Sequence, residues 1–474
     1  MESTRPTRPN ARDPRPQRSN RAIGHPAWLI LRPAAPLPAA STRQSKQQPL
    51  VSHAEARQSQ SRKEKTITTV RQPPTSPTGD AELRRALVER ISARRQLSDA
   101  VAAAMYKVPR HVFVPTASLE EAYANDTVVT RRDDTGIATS SASAPWLVGQ
   151  MLDQLQLQPG MRVLEIGAGT GYNAALIAEL VGPTGHVTAV EITPDVAADA
   201  RKALATIGAT NVEIVCGDGE YGHPQAAAHD RIISTAGVWE IPDAWAEQLS
   251  PEGVLVAPLR MRGLTRSVAM TREAGVWRSH STVTCGFMPI RGKGEMPERN
   301  IRPAEDLFVR FDDGQDADAL ALAQAAASPG RVDWSGVLID RSLELLDFYL
   351  AELDGFCRVL ASPSITERGL AEPVNDWGSM GAATDEALGY LTKRTCLDNP
   401  YLYELGVCAY GPRAAAMLAD LTERVHRWDR DRESITGVRI EIHPPGQGEM
   451  ADALMIADKR RSRVVVRPVR QESK

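Results

Sequence analysis

RVLEIGAGTGYNAALIAELVG, residues 162–182, is the stretch that decides the fold class of this chain. A short apolar run is followed by glycines at 167, 169 and 171, and then by an apolar pattern with helical spacing. Glycines between a strand and a helix let backbone N–H groups approach a ligand closely. The spacing is G-x-G-x-G, which differs from the dinucleotide pattern G-x-G-x-x-G, and no lysine follows it as in a P-loop. The stretch therefore predicts a strand, a ligand-binding turn and a helix.

The sequence on either side alternates between strand and helix patterns. A helix is predicted with Thr193 as its N-cap, Pro194 at its first position and Gly208 after its last turn. This alternation predicts an α/β protein, a Rossmann-like parallel sheet with helices on both faces. The predicted parallel strands are residues 162–166, 186–190, 212–216, 231–235 and 254–259.

Charge and cysteine content exclude several classes of function. Residues 1–80 carry a net charge of +9 and residues 81–474 a net charge of −12, so the body of the chain is acidic and poorly suited to nucleic acid. The five scattered cysteines form no CxxC pair, which is typical of a reduced, cytoplasmic protein. No apolar run reaches the roughly 18 residues of a membrane span. No His/Cys/Asp cluster has metal-ligand spacing, so no metal is expected.

Acidic residues at successive strand ends predict a cofactor site. Glu191 ends the second strand, where Rossmann-like folds place a ribose-binding acid, and Asp218 follows the third strand, where it could accept a bond from an adenine amino group. Each acid taken alone is equally well explained as a solvated loop residue or a helix cap. Glu165, inside the turn, would repel a pyrophosphate but suits a cofactor with an amino group and a sulfonium cation. We therefore expect S-adenosyl-L-methionine, bound by Glu165, Gly167, Ala168, Gly169, Thr170, Gly171, Tyr172, Glu191, Ile192, Asp218 and Gly219.

Several segments resemble, in order and spacing, the protein-L-isoaspartate O-methyltransferases. The resemblance covers about residues 105–290, and its segments include YKVPRHVFVP (106–115), EEAYANDTVV (120–129), SSASAPWLVGQML (140–152), the glycine stretch and NVEIVCGDGEYGHP (211–224). The fold and cofactor that this family implies agree with those expected from the strand pattern and the strand-end acids.

The segment before the glycine turn carries the most specific part of this resemblance. The family pattern is close to Q-T-I-S-x-P-aromatic, and residues 140–146 read SSASAPW. The resemblance implies that Ser143 is the active-site serine, with Ser140, Ser141, Pro145 and Trp146 as substrate-binding residues. Ser140 stands where the family has glutamine, and Ser141 stands where it has threonine. Two of these residues could have structural roles: Ser143 as the N-cap of the next helix, and Trp146 as a core aromatic residue.

The resemblance implies methyl esterification of an aspartyl or isoaspartyl carboxylate in a protein or peptide, leading to a succinimide. A carboxylate with an ordinary pKa near 4 is already ionised at neutral pH, so this reaction needs no general base. Hydroxyl groups are then sufficient if they hold one carboxylate oxygen in line with the sulfonium methyl group.

The division of the chain leaves the biological role open. We expect a disordered basic tail at residues 1–78, a catalytic domain at 79–295, a linker at 296–330 and a smaller accessory α+β domain at 331–474. The accessory domain resembles that of extended relatives that install an aspartimide in a dedicated precursor peptide. It could instead be a stabilising appendage or an oligomer contact. A non-catalytic peptide-binding module is a further alternative, against which Ser143, Glu191 and Asp218 argue.

Overall fold

Two β-sheets form the framework of the molecule. The computed structural model describes residues 79–471, apart from 135, 313, 316, 341–342, 369, 375–377 and 398, so the expected disordered tail at 1–78 lies outside the described residues. The helices are α1 (Asp80–Ser92), α2 (Asp99–Lys107), α3 (Leu119–Ala122), α4 (Pro145–Leu155), α5 (Tyr172–Val181), α6 (Pro194–Thr206), α7 (Asp243–Gln248), α8 (Ala319–Ala327), α9 (Leu346–Leu350) and α10 (Ala414–Asp431).

The strands, in chain order, are β1 (Val128–Arg132), β2 (Ala138–Ala142), β3 (Arg162–Ile166), β4 (His186–Glu191), β5 (Val212–Cys216), β6 (His229–Ser234), β7 (Leu249–Met261), β8 (Leu264–Glu273), β9 (Val276–Thr284), β10 (Arg299–Ala304), β11 (Leu307–Phe311), β12 (Arg331–Ile339), β13 (Phe356–Ala361), β14 (Ser379–Thr384), β15 (Ala387–Thr395), β16 (Tyr403–Tyr410), β17 (Ile435–His443), β18 (Met455–Asp458) and β19 (Arg463–Arg470). Strands β1 and β2 form a separate two-stranded hairpin.

The first sheet has ten strands in the order β18-β19-β17-β9-β8-β7-β6-β3-β4-β5. Strands β3 to β7 are parallel, and β8 continues the sheet antiparallel to β7. The α/β, Rossmann-like prediction is therefore confirmed. The chain order reverses between β3 and β6, and the carboxyl ends of these strands are where such sheets bind ligands.

The two faces of the parallel strands are covered differently. Val163 and Val256 face a cluster that contains α4, α5 and α6, whereas Leu164 and Leu255 belong to a cluster that contains α7 and continues into the second sheet. The expectation of helices on both faces is thus only partly met. The strands are apolar on both faces, and the second apolar face is buried largely by another sheet.

The second sheet has seven antiparallel strands in the order β10-β11-β13-β14-β15-β16-β12, with α8 packed on one face and α10 on the other. The expected linker at 296–330 is wrong, because β10, β11 and α8 all lie within it. Their buried residues Ile301, Val309 and Phe311 each lie next to a charged residue. The segment therefore lacks the continuous apolar runs from which the strands of the first sheet were predicted.

The accessory region is not a separate unit either. Strands β17, β18 and β19 belong to the first sheet, where β17 pairs with β9 through Glu441↔Arg278 and Ile442↔Trp277. Strands β18 and β19 form an antiparallel hairpin. Helix α10 is amphipathic and buries one face, made of Met417, Leu418, Leu421, Val425 and Trp428.

A basic turn between β18 and β19 fastens the end of the chain to the first sheet. Arg461 donates to Glu220 Oε1 at 3.1 Å, and its backbone N–H donates to Glu240 Oε1 at 2.6 Å. Lys459 Nζ donates to the carbonyl oxygen of Arg260 at 2.6 Å and also to that of Trp239. This turn is therefore a docking element, because its cations contact acids and carbonyl groups of distant loops.

We predict that Leu421→Ala destabilises both sheets together. Leu421 is fully buried in the cluster shared by the two sheets, and truncating such a leucine typically costs about 2–5 kcal/mol of unfolding free energy. The expected result is faster hydrogen exchange of amides in β3 as well as β15. Leu320→Ala, on the exposed face of α8, is the control and should change little. Loss of protection in the second sheet alone would show that the sheets unfold independently.

Candidate functional site

A cavity of about 550 Å³ opens at the carboxyl ends of β3, β4 and β6. It brings together most of the residues expected to bind cofactor and substrate. Those that line it are Ser140, Ser141, Ser143, Glu165, Gly167, Ala168, Gly169, Thr170, Tyr172, Glu191, Ile192 and Gly219. Pro145, Trp146, Gly171 and Asp218 are not among its lining residues. The glycine turn (residues 167–171) and the serine segment (residues 140–143) thus share one cavity.

Three glycines allow close packing around the base of the cavity. Gly167 has φ +92°, and a Cβ added there would lie 2.9 Å from Thr235 Oγ1. A Cβ added at Gly219 would lie 2.5 Å from Ile166 Cγ2, which a side chain could not tolerate. Gly171 faces α6 instead, where a Cβ would lie 3.3 Å from Ala200 Cβ. Two of these glycines therefore shape the cavity, whereas Gly171 lets a helix pack closely.

Glu191 ties the turn after β3 to the turn after β4. Its buried carboxylate accepts the backbone N–H of Gly169 at 3.0 Å and that of Thr193 at 3.0 Å. Arg291 Nη2 lies 3.7 Å from Glu191 Oε1 and donates to Thr193 Oγ1 at 2.8 Å. Thr193 is the N-cap residue of α6, but its side chain makes no capping bond and accepts from Arg291 instead.

Glu165 is a fully buried acid at the base of the cavity. Asn173 Nδ2 donates to its Oε1 at 2.9 Å, while its Oε2 has no hydrogen-bond partner among the described residues. The pKa of Glu165 is raised to about 8, mainly by burial; the bond from Asn173 opposes this shift, and the Glu191 charge adds to it. At neutral pH the unliganded site therefore holds an uncharged carboxyl group.

Asp218 supports the cavity wall without lining it. Its carboxylate accepts the backbone N–H of Glu220 at 2.9 Å and that of Lys293 at 2.8 Å. The expected helix-cap role describes the first bond, because Asp218 caps a short 3₁₀ turn that begins at Gly219. Residues 286–291, just before Lys293, do line the cavity. Asp218 thus holds that segment in place, and an adenine contact by Asp218 remains a prediction.

The serine segment ends the β1–β2 hairpin and lies against the glycine turn. A Cβ added at Gly169 would lie 3.7 Å from the carbonyl oxygen of Ser141. Ser140 is buried and accepts from Thr130 Oγ1 at 3.0 Å, whereas Ser141 and Ser143 are half-buried. The alternative role of Ser143 as an N-cap is wrong: the N-cap position of α4 is Ala144, which makes no side-chain capping bond.

Two residues that the sequence did not single out position this segment. Arg110, with no exposed surface, donates from Nε to the carbonyl oxygen of Ala122 at 2.9 Å and from Nη2 to that of Ala142 at 3.3 Å. Asn125 Oδ1 accepts the backbone N–H of Trp146 at 2.9 Å and so fixes the start of α4. Both lie in segments 106–115 and 120–129, which resemble the family. This resemblance is the sequence feature that could have indicated their importance.

Pro145 and Trp146 are not placed as substrate contacts. Pro145 is the buried first residue of α4. Trp146 packs partly buried against the helical cluster, and the Arg95 guanidinium lies 4.0 Å from its ring centroid. A packing role for Trp146, the alternative that the sequence left open, fits this position better than a pocket wall.

The second sheet also contributes to the cavity. Glu298, just before β10, and Arg310, on β11, are lining residues. Neither residue was predicted from the sequence, because both lie in the segment expected to be a linker. Arg310 in particular does not belong to any sequence motif.

Within 79–471 and outside the gaps given above, no group of three or more His, Cys, Asp or Glu side chains is arranged to hold a metal ion. Over the same residues, no helix has both the length and the apolar character needed to cross a membrane.

We predict that Glu165 makes stability depend on pH. Its pKa rises from 4.5 in the unfolded chain to about 8 in the folded one, so the folded state binds more protons between these values and loses stability as pH rises. Relative to Glu165→Gln, the unliganded protein should lose about 1 kcal/mol of unfolding free energy per pH unit from pH 5 to pH 8. Denaturant unfolding of both proteins at several pH values measures this difference. A difference independent of pH would contradict the burial of an ionisable group here.

Comparisons with known proteins point to one family. Residues 82–295 match the family described as protein-L-isoaspartate(D-aspartate) O-methyltransferase. Relatives with that name include one from Methanopyrus kandleri, 39% identical over 44% of this chain and 92% of that protein. Another, from Methanoregula boonei, is 39% identical over 46% of this chain and 97% of that protein. A solved structure with the same name has a TM-score of 0.43 and 22% identity, and the match covers 76% of this chain and 96% of that one.

The relatives match less than half of this chain but nearly all of their own length. Protein-L-isoaspartate O-methyltransferase 2 from Archaeoglobus fulgidus, for example, is 37% identical over 212 residues, which are 45% of this chain and 94% of that protein. Residues after 295 lie beyond the family match. The chain therefore belongs to the protein-L-isoaspartate(D-aspartate) O-methyltransferase family.

Proposed function

We propose that this protein transfers a methyl group from S-adenosyl-L-methionine to an aspartyl or isoaspartyl carboxylate of a protein or peptide. The observation that carries the proposal is the contact between the serine segment and the glycine turn in one cavity, where Gly169 leaves space beside the Ser141 carbonyl. The relatives are named for this reaction on isoaspartate. The five cysteines are free thiols, which supports a reducing compartment such as the cytoplasm.

The cofactor fits the residues at the cavity base. Gly167 and Gly219 line the cavity, and a Cβ at either position would meet Thr235 or Ile166, so the backbone itself forms the cavity surface there. Glu165 Oε2, which is buried and without a partner among the described residues, is an acceptor for an amino group of the ligand. A cationic amino group there would lower the Glu165 pKa, so the carboxyl proton leaves when the site fills. When bound, the cofactor supplies an electrophilic methyl group on a sulfonium sulfur.

The serine hydroxyls orient the acceptor carboxylate. Ser141 and Ser143 line the cavity and are half-buried, so each can donate to one oxygen of an ionised carboxylate. The other oxygen then attacks: one O–CH₃ bond forms, the S–CH₃ bond breaks, and its electron pair stays on sulfur. No proton is transferred, which agrees with a site whose serines have no paired histidine among the described residues. A neutral donor orients the acceptor without withdrawing the charge that makes it nucleophilic.

A second candidate role is the modification of a dedicated precursor peptide. It is favoured by the second sheet, whose Glu298 and Arg310 line the same cavity, because this sheet lies beyond the part matched by the family. The methyl ester would then be attacked by a neighbouring backbone nitrogen, releasing methanol and closing a succinimide. In a repair enzyme the same ring would open partly to normal aspartate.

The two roles differ in their substrates. A repair enzyme should esterify short isoaspartyl peptides of varied sequence and leave the matching aspartyl peptides unchanged. A tailoring enzyme should esterify one aspartate in a particular peptide and be indifferent to isoaspartate. Removal of residues 331–474 is unsuitable as a test, because it would delete β17, β18 and β19 from the first sheet.

We predict that Ser143→Ala lowers kcat for methyl ester formation at least tenfold while cofactor affinity changes less than twofold. Loss of one positioned donor at a reacting group commonly costs about 10²–10³ in rate, and the variant leaves the glycine turn intact. Radiolabelled methyl transfer to an isoaspartyl peptide measures kcat, and calorimetric binding of S-adenosylhomocysteine measures affinity.

The matched control is Ser328→Ala, which removes a hydroxyl at the end of α8, outside the cavity. Its kcat should equal that of the parent protein. Undiminished turnover in Ser143→Ala would place the reacting carboxylate elsewhere.

A further inference from the structure

Arg310 is a cavity-lining cation with unused hydrogen-bonding capacity. It lies on β11, with 23% of its side chain exposed. Its nearest acid is Asp312, whose Oδ1 lies 3.5 Å from Nε, and Nε makes no hydrogen bond among the described residues. A guanidinium has five N–H donors in a planar fork, which suits a carboxylate. Arg310 is therefore available to a ligand in the cavity.

The other charges of this cluster are already satisfied. Arg260 Nη2 donates to Glu298 Oε1 at 2.6 Å and to Asp312 Oδ1 at 3.0 Å, so one cation engages both acids. Arg358, on the neighbouring strand β13, donates to the carbonyl oxygen of Gly263 at 3.2 Å. Glu298 and Asp312 both pair with Arg260, and Asp312 is also the nearest acid to Arg310, so these two acids are shared between two cations.

This cluster lies on the side of the cavity away from Glu191. Gly237 follows β6, and a Cβ added there would lie 3.2 Å from Arg260 Cδ. Gly237 also exchanges backbone hydrogen bonds with Met288 and Ile290, at 2.7 and 2.8 Å, and both of these residues line the cavity. Glu191 ends β4, and β3 separates it from β6. Arg310 is thus on the β6–β7 side, whereas the proposed cofactor site is on the β3–β4 side.

A cation beside the reacting carboxylate would oppose the reaction. An ion pair with Arg310 would stabilise the negative charge that must attack the methyl group, and so would weaken the nucleophile. The serine hydroxyls already provide neutral donors for that oxygen pair. The suitable ligand for Arg310 is therefore a carboxylate that does not react.

We propose that Arg310 is a specificity-determining residue that binds a second, non-reacting carboxylate of the peptide substrate, from a Glu or Asp side chain close to the acceptor. This inference rests on the proposed function and refines it. The second sheet then selects acidic sequence around the methylation site, while the serine segment and glycine turn perform the transfer. It assigns a binding task to a strand that lies beyond the family match.

The test uses the full-length protein and pairs of peptides. Each pair has one isoaspartyl or aspartyl acceptor and carries either Glu or Gln at a single position within two residues of it. We expect at least one position at which the Glu peptide has a kcat/KM at least tenfold above that of its Gln partner, mainly through KM. Arg310→Gln should reduce this ratio to about one, and Arg310→Glu should favour a Lys peptide at that position.

Arg302→Gln is the matched control, since it removes an exposed arginine on the adjacent strand β10, outside the cavity, and should keep the full preference. Thermal melting and S-adenosylhomocysteine binding of each variant separate misfolding from a change in selectivity. Methyl transfer without preference at any position, or an equal loss for both members of each pair in Arg310→Gln, would overturn the role of Arg310 alone. Absence of methyl transfer to every peptide would overturn both the repair role and this role of Arg310.

Discussion

The burial of one apolar face of the ten-stranded sheet against the second sheet is the constraint on which the rest of the structure depends. Leu259 and Val268, on β7 and β8, share a cluster with Leu405 and Val407 of β16. Apolar area of this extent cannot face water without a large loss of free energy. The second sheet is therefore part of the core, and the strands after α10 return to extend the first sheet.

This packing has a consequence for the cavity. Because the second sheet lies against β7 and β8, Arg310 on β11 and Glu298 just before β10 reach the cavity at the carboxyl ends of the parallel strands. The cavity consequently has walls of two origins: turns that belong to the family-matched region, and charged side chains that lie beyond it. Arg260 links the two, since it is on β7 and pairs with Glu298 and Asp312.

The electrostatics of the two walls differ in a way that suits methyl transfer between two charged reactants. The serine segment offers hydroxyl groups, and burial raises the Glu165 pKa so that this carboxyl group is uncharged until the site fills. The opposite wall carries arginines and acids in close pairs. In the proposed reaction, the reacting carboxylate of the substrate contacts neutral hydroxyl donors and so keeps its charge. A second carboxylate, which does not react, contacts a guanidinium that only binds it. Arg110 stabilises this arrangement, because its hydrogen bond to the Ala142 carbonyl oxygen holds the backbone between Ser141 and Ser143.

The features that could be predicted from the sequence are those encoded by short local patterns. The glycines of residues 167–171, the strand alternation around them and the serine segment at 140–143 are short patterns with direct structural meaning, and the cavity contains all three. Other features depend on contacts between distant segments and were not predicted. Asp218 holds a loop, Trp146 packs against Arg95, and Arg310 lies on a strand within the segment expected to be a linker. The physical reason is that strand pairing and burial join residues far apart in the chain, as when β17 pairs with β9. Neither periodicity nor composition encodes which distant strand a segment will meet.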